Sequence, residues 1–252
     1  MLESVLSSNI PNEACLVVPR ISLDLYYIYG IHTSCKRNSI KYLNSVTRNS
    51  SKQEKEQSEL ICFIISKYAI VYDVENDKQI IYYGHSNRVT YLAIHPTLQL
   101  IATTEALNCG CVHIWNYTTL KKLHTIKTAH GAGIILVEFS NDGDYILTLG
   151  RANPSVQIFK WSTEEEICFR VLDHKLYVCE MKFSPYDSSE IIEVGQSHIG
   201  IWKLRNFSLN PYKYYIAGNE GKPNARVFVS MDLLLHDVHF LFRKSWYPSM
   251  KS

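Results

Sequence analysis

The chain has 252 residues, of which 46% are hydrophobic and 20% are charged, and its formal net charge at pH 7 is +2. These values are those of an ordinary globular protein, long enough for one large all-β domain or two small ones. The small net charge and the lack of a long basic stretch argue against a nucleic-acid partner, because such partners are usually met by a concentrated basic face.

The seven cysteines are odd in number and lie singly along the chain, apart from Cys109 and Cys111. Neither the spacing of a zinc site nor that of a disulfide framework is visible. We therefore predict reduced thiols in the cytosol, with no metal and no cofactor.

Residues 1–20, MLESVLSSNIPNEACLVVPR, form a first segment without the basic start and apolar run of a signal peptide. No stretch of the chain approaches the 18 apolar residues of a membrane span. The sequence predicts a soluble, intracellular protein with no membrane partner.

Residues 21–59 form a second segment of two unlike parts. Residues 21–43, ISLDLYYIYGIHTSCKRNSIKYL, combine an acidic and aromatic start, a Tyr-Gly pair, a Cys-Lys-Arg-Asn run and a closing apolar strand. Residues 45–59, SVTRNSSKQEKEQSE, are polar, mixed in charge and without apolar period, which predicts a mobile surface loop.

Residues 60–210 carry an internal repeat. Three histidine-headed pairs lie 45 and 44 residues apart: Gly84-His85, Ala129-His130 and Asp173-His174. A second series runs beside them with spacings of 43, 46 and 41 residues: Tyr72-Asp73, Trp115, Trp161 and Trp202. This period is typical of WD40-type β-propeller blades, which stack around an axis because one blade cannot bury both faces of its sheet.

Each repeat reads as the same order of short strands. Upstream of the three units, two apolar runs in residues 61–74 break at Ser66-Lys67, a predicted hairpin. The second unit contains a turn at 141–144, where Asp-Gly favours a tight reversal. Three units share the order: VTYLAIHP, LQLIATTE, CVHIWNY, TLKKLHTI; GIILVEFS, YILTLG, SVQIFKW, EEICFRVL; YVCEMKFSP, EIIEVG, HIGIWKL. We predict an all-β, atypical and incomplete propeller of three to four blades.

The histidines and tryptophans of the repeats are expected to be structural, with the tryptophans as core aromatics whose N–H groups are hydrogen-bonded. In many such repeats an aspartate in a hairpin completes a hydrogen-bond network with His, Ser or Thr and Trp. The matching loops here, EALNCGC, GRANPS and GQS, lack that aspartate. We therefore expect blades with weaker polar support.

Residues 211–252 form a divergent last segment. Its first part, PYKYYIAGNEGKPNARVFVS, is compatible with the start of another blade, and the apolar residues between 233 and 242 suit either a short helix or a strand.

The upstream motif resembles the hydrophobic motif of the echinoderm microtubule-associated-protein-like family. The matching residues are Leu23, Tyr29, Gly30, Cys35, Arg37, Asn38 and Leu43. The resemblance continues in register to about residue 210, and three to four blades suggest a truncated or partial member. It implies atypical propellers that bind tubulin and decorate microtubules, including those of the spindle, and hence a place in the cytoplasm and the cytoskeleton.

An enzyme is not expected. The chain has no G-x-S-x-G elbow and no phosphate-binding G-x-x-x-x-G-K-[ST] loop, and His32 with Cys35 lacks the partners of a zinc site. We predict no catalytic residue and no small-molecule substrate, with other proteins bound by the blade surfaces. Two alternatives stay open: a ciliary or flagellar axonemal scaffold, and a WD40 adaptor in a signalling or ubiquitin-ligase complex.

The candidate partner-binding residues are aromatic or basic side chains of the upstream motif: Tyr26, Tyr27, Lys36, Arg37 and Lys41. Their alternative role is as packed structure within the motif.

Overall fold

The computed structural model describes residues 27–28, 39–43, 59–106, 110–151, 154–172, 178–195, 198–216, 227–233 and 238–243. Residues 1–20, most of the predicted polar loop and the predicted rung His174 lie outside this set. Over the described ranges, no helix has the length and apolar character needed to cross a bilayer.

The described chain forms four four-stranded sheets, here called blades 1 to 4, and one two-stranded hairpin. Blade 1 comprises β1 (Ile40–Leu43), β2 (Leu60–Ile65), β3 (Tyr68–Asp73) and β4 (Lys78–Tyr82). Blade 2 comprises β5 (Val89–Ile94), β6 (Leu100–Glu105), β7 (Cys111–Asn116) and β8 (Lys122–Lys127). Blade 3 comprises β9 (Ile134–Phe139), β10 (Tyr145–Gly150), β11 (Ser155–Lys160) and β12 (Glu165–Val171). Blade 4 comprises β13 (Val178–Phe183), β14 (Glu190–Gly195), β15 (His198–Arg205) and β16 (Ser208–Ile216). The hairpin comprises β17 (Val227–Leu233) and β18 (Val238–Arg243).

Strand order within every blade follows chain order, and all pairs are antiparallel. The predicted hairpin at Ser66-Lys67 joins β2 to β3, and Ser66 has a φ of 53° there. The predicted all-β fold and the incomplete propeller are confirmed. Of the two alternatives left for the last segment, the structure has strand, because β18 covers Val238–Arg243.

The first strands of successive blades lie against one another. Strand β1 contacts β5, β5 contacts β9, β9 contacts β13, and β17 contacts β13 and β14. This succession makes the first strand of each blade its inner strand, and it places the hairpin where the blade after blade 4 begins. The inner strand of blade 1 comes from the upstream motif and pairs with β2 across residues 44–59.

Three apolar clusters fill the spaces between neighbouring blades. The cluster between blades 2 and 3 unites Leu100 and Ala102 of β6 with Phe139 and Ile146 of blade 3. Side chains of the alternate parity on β6, such as Ile101, belong instead to the cluster between blades 1 and 2. Because successive strand residues face opposite sides of the sheet, β6 is buried along its whole length.

The aromatic residue on the third strand of each blade matches the prediction in blades 2 and 4 but not in blade 3. Trp115 pairs with Ile101 on the neighbouring strand, Trp202 pairs with Ile191, and the equivalent partner of Ile146 in blade 3 is Phe159. Phe159 lies 44 residues after Trp115 and 43 before Trp202. The prediction of Trp161 as the rung was wrong.

Trp161 follows β11 directly and is only partly buried, and its indole N–H donates to the carbonyl oxygen of Gly143. Phe159 and Trp161 are two residues apart, so both fit the alternation of inward and outward side chains along the strand. The sequence pattern therefore could not tell which of them fills the core position, and tryptophan was chosen in error. Tyr72, paired with Ile61, does occupy the predicted rung of blade 1.

Phe159→Ala should therefore lower the free energy of unfolding by about 3–5 kcal/mol, because Phe159 is only 3% exposed and its truncation leaves a cavity between blades. Phe169→Ala on β12 is the matched control, since that ring is 48% exposed and should cost less than about 1 kcal/mol. Urea denaturation measures both. Equal losses would contradict the assignment of Phe159 to the core position.

Candidate functional site

Tyr27 and Ile28 of the upstream motif lie beside β4. The Tyr27 hydroxyl donates to Asp77 Oδ1 at 2.9 Å, and this hydrogen bond is the main cause that raises the pKa of Tyr27 to about 12. The Gln79 side chain exchanges two hydrogen bonds with the backbone of Ile28, at 2.9 and 3.0 Å. The Tyr27 hydroxyl therefore contacts the turn that precedes β4, and the Ile28 backbone contacts β4 itself.

The Ile28 side chain covers the face of blade 1 that is turned away from blade 2. It packs against a cluster of three buried side chains, Phe63, Ile70 and Ile81. The upstream motif thus gives blade 1 an apolar cover on that face.

Lys41 lies on the inner strand of blade 1. Its register position, opposite Cys62, is equivalent to that of Glu138 in blade 3 and Lys182 in blade 4. Burial raises the pKa of Glu138, while the charges of Lys41 and Lys182 oppose that rise. Lys182 also forms an ion pair with Glu180 at 3.1 Å. Lys41 therefore belongs to a group of charged residues on the inner strands.

Tyr27 and Lys41 lie at opposite edges of blade 1, since β4 and β1 are its two outermost strands in the sheet. The other three predicted binding residues, Tyr26, Lys36 and Arg37, lie outside the described residues. The structure therefore does not bring Tyr27 and Lys41 together into one patch.

An exposed group of basic and aromatic residues lies on blade 4, and we call Lys203, Tyr212 and Lys213 the Tyr212 patch. The ammonium nitrogens of the two lysines lie 5.1 and 5.2 Å from the centre of the Tyr212 ring, which is 55% exposed. Lys203 also lies 3.8 Å from Asp187 and 3.6 Å from Glu190. Sequence analysis missed this patch, although alternation of Tyr and Lys in PYKYY was its visible signal.

A buried polar network links two strands and a loop of blade 2. Trp115 Nε1–H donates to Thr103 Oγ1 at 3.0 Å, and Thr103 Oγ1 lies 2.6 Å from His85 Nε2. His85 Nδ1 lies 3.0 Å from Glu105 Oε1, which also accepts the backbone N–H of Ser86. Every group is satisfied when His85 Nδ1–H donates to the carboxylate and Nε2 accepts from the Thr103 hydroxyl.

The pKa values of this network follow from burial and hydrogen bonding. Burial lowers the pKa of His85, although Glu105 favours its charged form. Burial alone would raise the pKa of Glu105, but hydrogen bonds from His85 and Ser86 lower it overall. The pair therefore consists of a neutral imidazole and a carboxylate at neutral pH.

Blades 3 and 4 build comparable networks from other residues. In blade 3, His130 lies 3.1 Å from Ser155 Oγ and 3.0 Å from Thr148 Oγ1, and burial lowers its pKa to about 4. In blade 4, Glu193 accepts from Trp202 Nε1–H and lies 2.8 Å from His198 Nε2.

The expectation of weak polar support was therefore wrong. Glu105 and Ser155 supply the oxygen atoms beside His85 and His130 that the missing hairpin aspartates would supply, while in blade 4 Glu193 accepts from the tryptophan as Thr103 does in blade 2. The requirement is for a polar partner at the buried histidine, and several residue types on neighbouring strands can reach it.

One group of described residues has a donor set that suits a metal ion. His85, Glu105 and His113 are all buried, and their ligand atoms lie within 4.8 Å of one another. The spacing of these residues along the chain, 20 and 8 positions, gave no motif by which sequence analysis would find them.

Comparison with known proteins finds relatives of two kinds. The chain is 28% identical over 211 residues to echinoderm microtubule-associated protein-like 1 of Homo sapiens, which covers 79% of the chain. It is 26% identical over 162 residues to echinoderm microtubule-associated protein-like 2 of Mus musculus, covering 60%. It is 27% identical over 177 residues to cilia- and flagella-associated protein 251 of Tetrahymena thermophila, covering 65%.

These matches confirm the resemblance that the upstream motif and the repeats indicated. The aligned regions span only 24%, 25% and 17% of the lengths of these three relatives. No protein-family profile matches the chain.

Stability should fall between pH 6.5 and about 4 because His130 is buried in its neutral form. In that window the unfolded chain takes up a proton at this histidine and the folded chain does not, so the unfolding free energy decreases as the pH falls. The loss from His130 should approach about 3 kcal/mol, and it is complete below pH 4. Above pH 6.5 the contribution is fully present.

His130→Gln should flatten this pH dependence, measured by urea denaturation at several pH values. The wild-type chain, measured over the same pH values, is the reference. Parallel curves for wild type and His130→Gln would contradict the assigned role of His130.

Proposed function

We propose that this chain is a non-catalytic platform that binds microtubules through tubulin and takes part in organising the cytoskeleton or spindle, in the cytoplasm. The observation that carries the proposal is the similarity to echinoderm microtubule-associated protein-like 1, which extends over 79% of the chain.

The architecture suits protein binding because many side chains of its outer strands and turns are exposed, although these strands also give a few residues, such as Ile126 and Cys168, to the inter-blade cores. The outer strands β8 and β12 are largely exposed, whereas β6 is buried throughout. Surfaces of this kind vary without disturbing the fold, so one scaffold can serve unrelated partners.

Basic side chains are the chemistry that recognises the acidic surface of tubulin. In the motif, the candidates remain Tyr26, Tyr27, Lys36, Arg37 and Lys41. Lys36 and Arg37 are the best pair to test, because the Tyr27 hydroxyl is bonded to Asp77 and Lys41 lies on an inner strand.

The Tyr212 patch is a second basic surface for the same partner. Lys203 and Lys213 flank one exposed ring, although Asp187 and Glu190 offset the charge of Lys203. Lys213→Glu reverses the charge at this patch and leaves the motif intact.

A ciliary or flagellar scaffold is the second candidate function. It is supported by the match to cilia- and flagella-associated protein 251 over 65% of the chain. Such a scaffold would bind axonemal doublets through their associated proteins, whereas the first proposal requires binding to tubulin itself. No observation on this chain favours the adaptor role in a signalling or ubiquitin-ligase complex.

The purified chain should pellet with microtubules assembled from pure tubulin, and less so at high salt, because screening weakens contacts between exposed charges. The double variant Lys36→Ala/Arg37→Ala should weaken the affinity about three- to tenfold, as expected for the loss of two ion pairs with the partner. Lys213→Glu, assayed in parallel, reports on the Tyr212 patch.

Lys52→Ala/Lys55→Ala is the matched control, since it removes the same charge from the polar loop and should bind like wild type. Failure of the wild-type chain to pellet at low salt would contradict tubulin binding. Pelleting with axonemal doublets but not with pure microtubules would support the ciliary scaffold.

A further inference from the structure

Three buried side chains gather on one face of blade 2. His85 lies in the loop between β4 and β5, Glu105 ends β6, and His113 lies on β7 opposite Thr103. Because side chains two residues apart share a face of a strand, Thr103 and Glu105 project to the same side as His113. This face is turned toward blade 1, since the Trp115 side chain on the same side packs in the cluster between blades 1 and 2.

His113 is the unusual member of this group. His113 is 7% exposed, and its Nδ1 atom is buried without a hydrogen-bond partner. Its ring stacks on that of His85 with centroids 4.2 Å apart and an angle of 9° between the planes. A buried imidazole nitrogen with no partner is costly, because folding has removed the water that would otherwise bind it.

The geometry suits a metal ion as that partner, because the unpartnered Nδ1 of His113 lies beside a second imidazole and a carboxylate, each of which offers a ligand atom. The carboxylate of Glu105 adds one negative charge. Two neutral imidazoles and a carboxylate form a donor set that Zn²⁺ prefers in open, three-ligand sites.

We propose that His85, Glu105 and His113 form a divalent-metal site, matched best to Zn²⁺, buried between blades 1 and 2. The metal is bound by His85 Nδ1, a Glu105 carboxylate oxygen and His113 Nδ1, and a water completes the tetrahedron. Their ligand atoms lie within 4.8 Å of one another.

Zinc at about 2.0–2.2 Å from each ligand requires ligand atoms about 3.3 Å apart, so the site must contract on binding. His113 is the ring that moves, because its Nδ1 has no hydrogen bond to break. When the His113 ring tilts toward Glu105, it no longer stacks in parallel on the His85 ring. Parallel stacking would keep the lone pairs of the two imidazole nitrogens from pointing at the same metal ion.

Binding also requires one proton to move. His85 Nδ1 releases its proton to water and Nε2 takes one up from water, so the ring changes tautomer with no net release of protons. The Nε2–H group then donates to Thr103 Oγ1, whose own hydroxyl hydrogen turns away from His85. That hydroxyl oxygen already accepts from Trp115 Nε1–H and has a second lone pair for His85. Thr103 thereby orients the ligand in the way that outer partners of zinc-bound histidines do.

Burial is the main influence that opposes a cation at both imidazoles, and the charge of Lys122 adds to it. The field of Lys122 lowers the affinity for a cation without blocking any ligand atom. Lys122→Ala should therefore strengthen metal binding modestly.

The test uses the full chain, stripped with a chelator and titrated with ZnCl₂ at neutral pH. Calorimetry should show one equivalent of zinc bound, and the melting temperature should rise by several degrees once free zinc exceeds the dissociation constant about 100-fold. Co²⁺ in place of Zn²⁺ should give the visible absorption bands of a tetrahedral site.

His113→Phe keeps the stacked ring and removes the ligand nitrogen. It should abolish the zinc-dependent rise in melting temperature and leave the zinc-free melting temperature unchanged or higher. Glu105→Gln is the second variant, since its amide oxygen still accepts from His85 while the charge is lost. His124→Gln, which removes a partly exposed histidine, is the control for adventitious binding and should behave like wild type.

The proposal is overturned if zinc leaves the melting temperature of the wild-type chain unchanged, or if both His113→Phe and Glu105→Gln retain the full shift. If His113→Phe does not fold, Glu105→Gln decides alone. None of these readouts involves microtubules, so their outcome is independent of the proposed function.

Discussion

The structure depends on one constraint: each small sheet has two apolar faces, and a neighbouring blade must cover both. Residues of opposite parity on β6 enter two different cores, one shared with blade 1 and one with blade 3. A blade with one bare face would expose apolar surface at about 25 cal/mol per Å². Succession of blades around an axis satisfies this constraint, and on blade 1 the Ile28 side chain adds cover to the face turned away from blade 2.

The polar networks follow from the same burial. Once stacking removes water from the blade interfaces, a histidine there must find partners within the protein. In blades 2 and 4 the carboxylates of Glu105 and Glu193 serve, and in blade 3 the hydroxyl of Ser155 does. The chain thus preserves the function of the network with different residues. His113 Nδ1 is one buried atom of the described residues that has no hydrogen-bond partner, and the proposed metal site supplies one.

Because apolar and polar residues inside the blades are committed to stacking, recognition falls to the exposed strands and turns. The Tyr212 patch lies on such an exposed strand, and the proposed contacts with tubulin draw on it and on the basic residues of the upstream motif. The relatives named for microtubules and for cilia match across most of this chain but extend far beyond it. The same blades therefore suit either microtubule binding or a ciliary scaffold, and the exposed side chains on their outer surfaces decide between the two.

The sequence by itself determined the period, the strands and the turns. Alternation along VTYLAI or SVQIFK and the hairpin at Ser66-Lys67 are local features, so neighbours in the chain suffice to specify them. Tertiary structure alone decided that Phe159, not Trp161, fills the core position, that β1 joins blade 1 across residues 44–59, and that Lys41 lies on an inner strand. It also brought His113 onto His85, 28 positions away. Those outcomes depend on strand register and blade stacking, which join residues distant in the chain and leave no local pattern to read.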